Sequence, residues 1–287
     1  WSSDVCSSDL EWRSGPTFAP LSFDRPEPIN AVPETDEVTS PIEGRQPCHL
    51  APAEWRLLGW LEHEGYDYDL FSDYQLHDGT LNLDNYKVLV INTHPEYWSA
   101  DAFHAVQKWV FERRGRLMYL GGNGLNCEIQ FTNNGTTMEC INAWPKDKES
   151  RMHASVAPEA SLLGVVYTDP GAMTAAPYEV LEPDHWIFEG TKLRKGELFG
   201  QKTLHERCGD GASGHETDKI SPNSPPGLQA LARGLNPDNG GAEIVHFETP
   251  SGGEVFSVGS ITFPSALFVD KRCSKITKNV LRRFLKG

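Results

Sequence analysis

YKVLVINTHPEYWSADAFHAVQKWVFERRGRLMYLGGNG, residues 86–124, is the stretch from which the fold is read. Val88-Leu89-Val90-Ile91 is short, apolar and β-branched, the composition of a strand buried on both faces. A polar loop, His94-Pro95-Glu96-Tyr97-Trp98, follows. Ser99 or Asp101 can cap the next helix, where Phe103, Val106, Trp109 and Val110 recur at helical spacing. Arg116–Leu120 returns as a second strand and breaks at Gly121-Gly122-Asn123-Gly124. The whole is one βαβ unit. Ligands of a parallel sheet sit beyond the carboxyl ends of its strands, where both the HPEYW loop and the GGNG turn lie.

Outward from this unit the pattern predicts an α/β domain. Residues 52–64 form a helix with Trp55, Leu57, Leu58, Trp60 and Leu61 on its apolar face and Gly65 as C-cap. Tyr66–Phe71 alternates as a strand, and SDYQLHDG reads as a loop. The order helix, strand, strand, helix, strand fits a three-layer, doubly wound, mostly parallel sheet. Residues 161–167 are a strand or a helix start, and His185–Thr191 a short strand. Residues 242–248 and 254–261, linked by TPSGG, form a hairpin, and 275–285 an amphipathic terminal helix. Residues 125–235 form a loop-rich insertion within a single domain spanning 51–287. Residues 11–50 are an irregular entry segment, with LSFDRP (21–26) as an edge strand. The opening WSSDVCSSDL (1–10) has the look of adaptor sequence and is set aside.

The 287 residues carry a formal charge of −14, which argues against nucleic acid or an anionic membrane as partner. No apolar run approaches the ~20 residues of a membrane helix. The cysteines at 6, 48, 127, 140, 208 and 273 have no zinc-ligand spacing. They read as scattered thiols of a reducing, cytoplasmic compartment, with a Cys127–Cys140 disulfide as the alternative.

Three segments carry chemistry. In HPEYW, His94, Glu96 and Tyr97 offer imidazole, carboxylate and phenol as metal ligands or an acid/base pair, or else pack as an ordinary loop. The GGNG turn displays Asn123, no nucleophile, yet able to polarise a carbonyl. Cys127 lies beyond it. In Gly214-His215-Glu216-Thr217-Asp218-Lys219, Glu216 is the candidate catalytic carboxylate, supported by His215 and Asp218; the alternative is a solvated charge run. Glu149 and Glu128 are further carboxylates.

HPEYWS, LMYLGGNG, NPDNGGAE (236–243), FETPSGGEVFSVGSI (247–261) and TKNVLRRFL resemble the C-terminal domain of the N,N-dimethylformamidase large (beta) subunit and its relatives, over residues 20–286. The resemblance implies a class I glutamine amidotransferase-like fold without the amidotransferase cysteine. It also implies an amidohydrolase with one iron ion, Fe(III), bound by two tyrosines and a glutamate, and a further glutamate assisting catalysis. Phenolate and carboxylate oxygens suit that ion. By resemblance Tyr97 is one iron tyrosine. The second is expected near the start of the first helix, where this chain has Glu54-Trp55, with Tyr66, Tyr68 and Tyr74 downstream. Glu149 is favoured over Glu128 as ligand, and Glu216 as the catalytic glutamate, with His94 and Asn123 orienting the substrate. The implied substrate is a small amide, with a small subunit or further copies of the chain as partners. The other expectation is a catalytically silent carbohydrate-binding or structural module.

Overall fold

Ser99 is extended, and its Oγ accepts the Ala102 N–H at 3.2 Å, so helix Ala100–Arg113 begins where the sequence supplies a cap. This helix joins strand Leu89–Thr93 to the parallel strand Arg116–Gly121. The computed structural model describes residues 21–23, 51–140, 152–205 and 208–286. The opening ten residues and most of the entry segment lie outside them.

Side chains alternate along the sheet strands with period two, and each set finds its own helices. Leu117, Tyr119, Val245 and Val255 pack with Phe103, Val106 and Val110 of helix 100–113 and with Leu162 and Leu163 of helix Glu159–Leu163. Met118, Leu120, Ile244 and Phe256 face the other way, onto Leu57, Trp60 and Leu61 of helix Ala51–Glu64 and Ile276, Val280 and Phe284 of helix Lys271–Lys286. Helices thus cover both faces of one central sheet.

That sheet has seven strands, in the order Leu198–Phe199, Tyr178–Val180, Ala232–Gly234, Glu243–Glu248, Glu254–Ser257, Arg116–Gly121, Leu89–Thr93. Strand 116–121 pairs in parallel with both 254–257 and 89–93. The other four pairings are antiparallel. The sheet is therefore mixed rather than mostly parallel. The TPSGG link is too short for a crossover and returns the chain as the expected hairpin, Glu248 opposite Glu254. The stretch 125–235 then adds three very short strands at the far edge. Strand 89–93 is the opposite edge, so Leu89 and Val90 are only half-buried.

A second, four-stranded sheet runs Leu21–Ser22, Thr137–Cys140, Cys127–Thr132, Tyr97–Trp98. Leu21–Ser22 is the expected edge strand. The hairpin of 127–140 lies beside the HPEYW loop because Tyr97 and Trp98 pair with Cys127 and Glu128. No disulfide joins the described cysteines, Cys127 and Cys140 included.

Two expected strands are absent. Tyr66–Phe71 is irregular: its side chains bond sideways, Tyr66 stacking on Trp60 at 6.1 Å and Tyr68 donating to Glu62, and it pairs with no strand among the described residues. Within His185–Thr191, Trp186–Phe188 is a 3₁₀ turn capped by His185. The SDYQLHDG loop instead contains the helix Asp73–His77. Among the described residues no helix is long and apolar enough to cross a membrane.

Candidate active site

The three segments singled out in the sequence meet. The GGNG turn lies on the GHETDK segment backbone to backbone: a Cβ on Gly122 would stand 2.4 Å from the Glu216 carbonyl oxygen and 2.9 Å from the Ile261 nitrogen. Only glycine permits that approach. On the other side, the Gly122 N–H donates to the Thr93 carbonyl at 3.1 Å, tying the turn to the root of the HPEYW loop. Thr93, Asn123 and His215 all have left-handed backbones, with φ of 66°, 51° and 67°. For β-branched Thr93 this is strained, and such strain gathers where surrounding structure imposes a functional geometry.

His94 is buried, its Nε2 2.9 Å from Glu216 Oε2 and 3.2 Å from Glu96 Oε2. Asn123 Nδ2 donates to the same Glu216 oxygen at 2.9 Å. One imidazole nitrogen thus stands between two carboxylates, and Glu216 is aimed by two donors at a single oxygen. Asn123 Oδ1 is buried with no hydrogen-bond partner among the described residues, an acceptor left for water or substrate.

Asp218 fixes this arrangement from below. Its Oδ1 accepts the Asn123 backbone N–H at 2.8 Å and its Oδ2 the Tyr119 hydroxyl at 2.7 Å. Tyr119 Oη in turn accepts the Gly124 N–H at 2.7 Å. Burial pushes the Asp218 carboxyl up to about 7 against the pull of those two donors. Burial, then the neighbouring Asp218 carboxylate, raises the Tyr119 phenol well above its ordinary value.

His94 and Glu96 also line a cleft of about 220 Å³ with Tyr97, Tyr74, Asp73 and Phe131. Tyr74 comes from the short helix 73–77, where the Ser72 N–H donates to Gln75 Oε1 at 3.0 Å. Its ring stands edge-on to Phe131 at 5.1 Å and lies against Gly135, so the 127–140 hairpin holds it. Two phenols and two carboxylates among the lining residues are hard oxygen donors, the kind that could hold a hard cation.

Of the sequence candidates, His94, Asn123 and Glu216 are in contact, and Tyr97 lies in the adjoining cleft. Glu149 lies outside the described residues. Glu128 is half-buried on its strand beside Trp98, and buried Cys127 pairs with Tyr97. His215 Nδ1 lies 3.0 Å from His205 Nε2, and its ring is 6.3 Å from that of His94. Tyr74 was legible as a tyrosine but not as part of the cleft. The signal was Ser72-Asp73-Tyr74-Gln75, a capping-box spacing that starts a helix there.

Helices on both faces of a sheet, with imidazole, carboxylates and phenols gathered beyond its strand ends, define an α/β domain. The chain belongs to the N,N-dimethylformamidase beta subunit-like family, C-terminal part, whose pattern matches residues 4–275. It is 28% identical to the N,N-dimethylformamidase beta subunits of an Alcaligenes species and of Paracoccus aminophilus, over 82% of this chain in each case. The chain spans 37% of the length of those relatives. A solved structure, a cytoplasmic protein from Salmonella typhimurium, is 14% identical with a TM-score of 0.48, covering 79% of this chain and 85% of that one.

Proposed function

We propose that this chain is the hydrolytic part of a dimethylformamidase-like enzyme and cleaves the C–N bond of a small amide in the cleft beside His94. One observation carries this reading: His94 and Asn123 converge on a single Glu216 oxygen next to an oxygen-donor cleft, in a member of this family. Tyr97 and Tyr74, with Glu96 as a carboxylate of that cleft, are the residues that would hold iron; Glu149 is the carboxylate the resemblance implies. When bound, a ferric ion supplies Lewis acidity toward an amide carbonyl and a water.

The remaining steps belong to the chain. Glu216 takes a proton from the attacking water and returns one to the departing amine, the work of a positioned general base and acid. Asn123 holds Glu216 through Nδ2 and offers Oδ1 to the water. His94 Nε2, between Glu96 and Glu216, keeps both carboxylates oriented. The cleft's volume suits a substrate of a few heavy atoms. Partner subunits, a small one in particular, and an amidotransferase-like ancestry for the fold belong to the same proposal.

The test is release of dimethylamine from N,N-dimethylformamide. Glu216→Gln should lower kcat about 10²–10⁴-fold with iron content unchanged, whereas Tyr97→Phe should lose the tyrosinate-to-iron visible band. Activity within threefold of wild type in Glu216→Gln would remove Glu216 from the mechanism. A chain that binds no iron and cleaves no small amide would return the silent, carbohydrate-binding or structural module.

A further inference from the structure

Beside Glu216 the chain gathers a second group of ligating side chains that the hydrolytic reading leaves unused. His205 Nε2 and His215 Nδ1 lie 3.0 Å apart, and both residues are buried. The ligating atoms of His205, half-buried Cys208 and His215 all lie within 4.8 Å of one another. One shared cation accounts for the convergence of all three ligating atoms. With Zn–N of 2.0–2.1 Å and Zn–S of 2.3 Å, a tetrahedral ion sets its nitrogens about 3.3 Å apart and sulfur about 3.6 Å from each. The two imidazole nitrogens stand 3.0 Å apart and the sulfur lies within 4.8 Å of both.

The donors also differ in kind from those of the cleft. Two imidazoles and a thiolate select zinc-class cations, while phenolates and carboxylates select hard ones, so the two sites would sort their metals. The other group of comparable spacing, His246, Glu248 and Glu254, differs again. Its carboxylates already pair with the Arg283 guanidinium, Nε to Glu254 and Nη2 to Glu248 at 2.6 Å each. His215 has φ of 67°, a left-handed backbone that needs outside support in a residue other than glycine, and ligation would supply it.

We propose that His205, Cys208 and His215 form a zinc-class site, completed by water, that fastens Cys208 and His205 to the backbone next to Glu216. The proposal stands whether or not the amide-hydrolysis reading holds, since it rests on these three side chains alone. The experiment uses the full chain, stripped with a chelator and titrated with Co²⁺. A thiolate-to-cobalt band in the near ultraviolet, with the strong visible absorption of a tetrahedral ion, should saturate near one equivalent and be displaced by Zn²⁺. Cys208→Ser should lose the thiolate band and Cys140→Ser should keep it. A second measurement needs no variant: Zn²⁺ should slow alkylation of Cys208 by about tenfold or more, located by peptide mass mapping. Absence of the band at one equivalent, its persistence in Cys208→Ser, or unprotected alkylation would overturn the site. Iron in the cleft is read separately by its tyrosinate band, so failure of either assignment is distinguishable from failure of the other.

Discussion

Gly122→Ala is the sharpest probe of how the site is held. The added methyl would lie 2.4 Å from the Glu216 carbonyl oxygen and 2.9 Å from the Ile261 nitrogen, both backbone atoms that cannot swing aside. To restore ordinary contact the turn and the 216 segment must separate by about 1 Å. Overpacking of this kind costs about 1–3 kcal/mol, and a shift of about 1 Å in a catalytic group costs about 10²-fold in rate. Gly79→Ala is the control, because Gly79 has φ of +76° but open space around its Cα. It should show backbone strain of about 1–2 kcal/mol and no loss of rate. Urea denaturation gives the stabilities and dimethylamine release the rates. If Gly122→Ala kept wild-type kcat/KM and matched Gly79→Ala in stability, the close approach of turn and loop would not be what positions Glu216.

Two further predictions concern stability. Asp218 has a pKa pushed up to about 7 when folded against an ordinary 3.8, so no charge penalty attaches to its burial at low pH, where it is protonated folded or unfolded. As pH rises from about 4 to about 7 the unfolded chain ionises first, and stability should fall by up to about 4 kcal/mol. Asp218→Asn should flatten that slope, as read from denaturation midpoints across pH; an unchanged slope would refute it. Ser99→Ala should cost about 1 kcal/mol by removing the helix cap, whose Oγ also contacts His77 Nδ1 at 2.9 Å, and Ser99→Thr should restore most of it in the same midpoint assay.

What the sequence made legible follows the strength of its local signals. The βαβ unit, the 243–257 hairpin and the terminal helix each carry a periodicity or a turn that fixes them without distant partners. The HPEYW and GGNG segments follow strands 89–93 and 116–121, as the pattern of apolar runs predicts. The mixed sheet was not legible: 178–180, 198–199 and 232–234 are two or three residues long, too short to show period two, and are strands only because neighbours pair with them. Tyr66–Phe71 misled for the opposite reason, having alternation but no partner. Asn123 and Glu216 meet across 93 positions, and His205 and His215 lie in no common helix or strand, so neither contact leaves a periodic spacing in the chain.

The middle of the sheet depends on a strand that arrives late. Arg116–Gly121 has Glu254–Ser257 as its neighbour on one side, and their first pair, Arg116 and Glu254, stand 138 positions apart. During synthesis the early strands have one open flank until the segment beyond residue 250 has left the ribosome. Closing so long a loop is slow, and an uncovered strand edge invites pairing with other chains. Expression of this protein should therefore respond to chaperone supply and to growth temperature more than its final stability would suggest. Proteins cut short before residue 254 should aggregate rather than persist as partly active fragments.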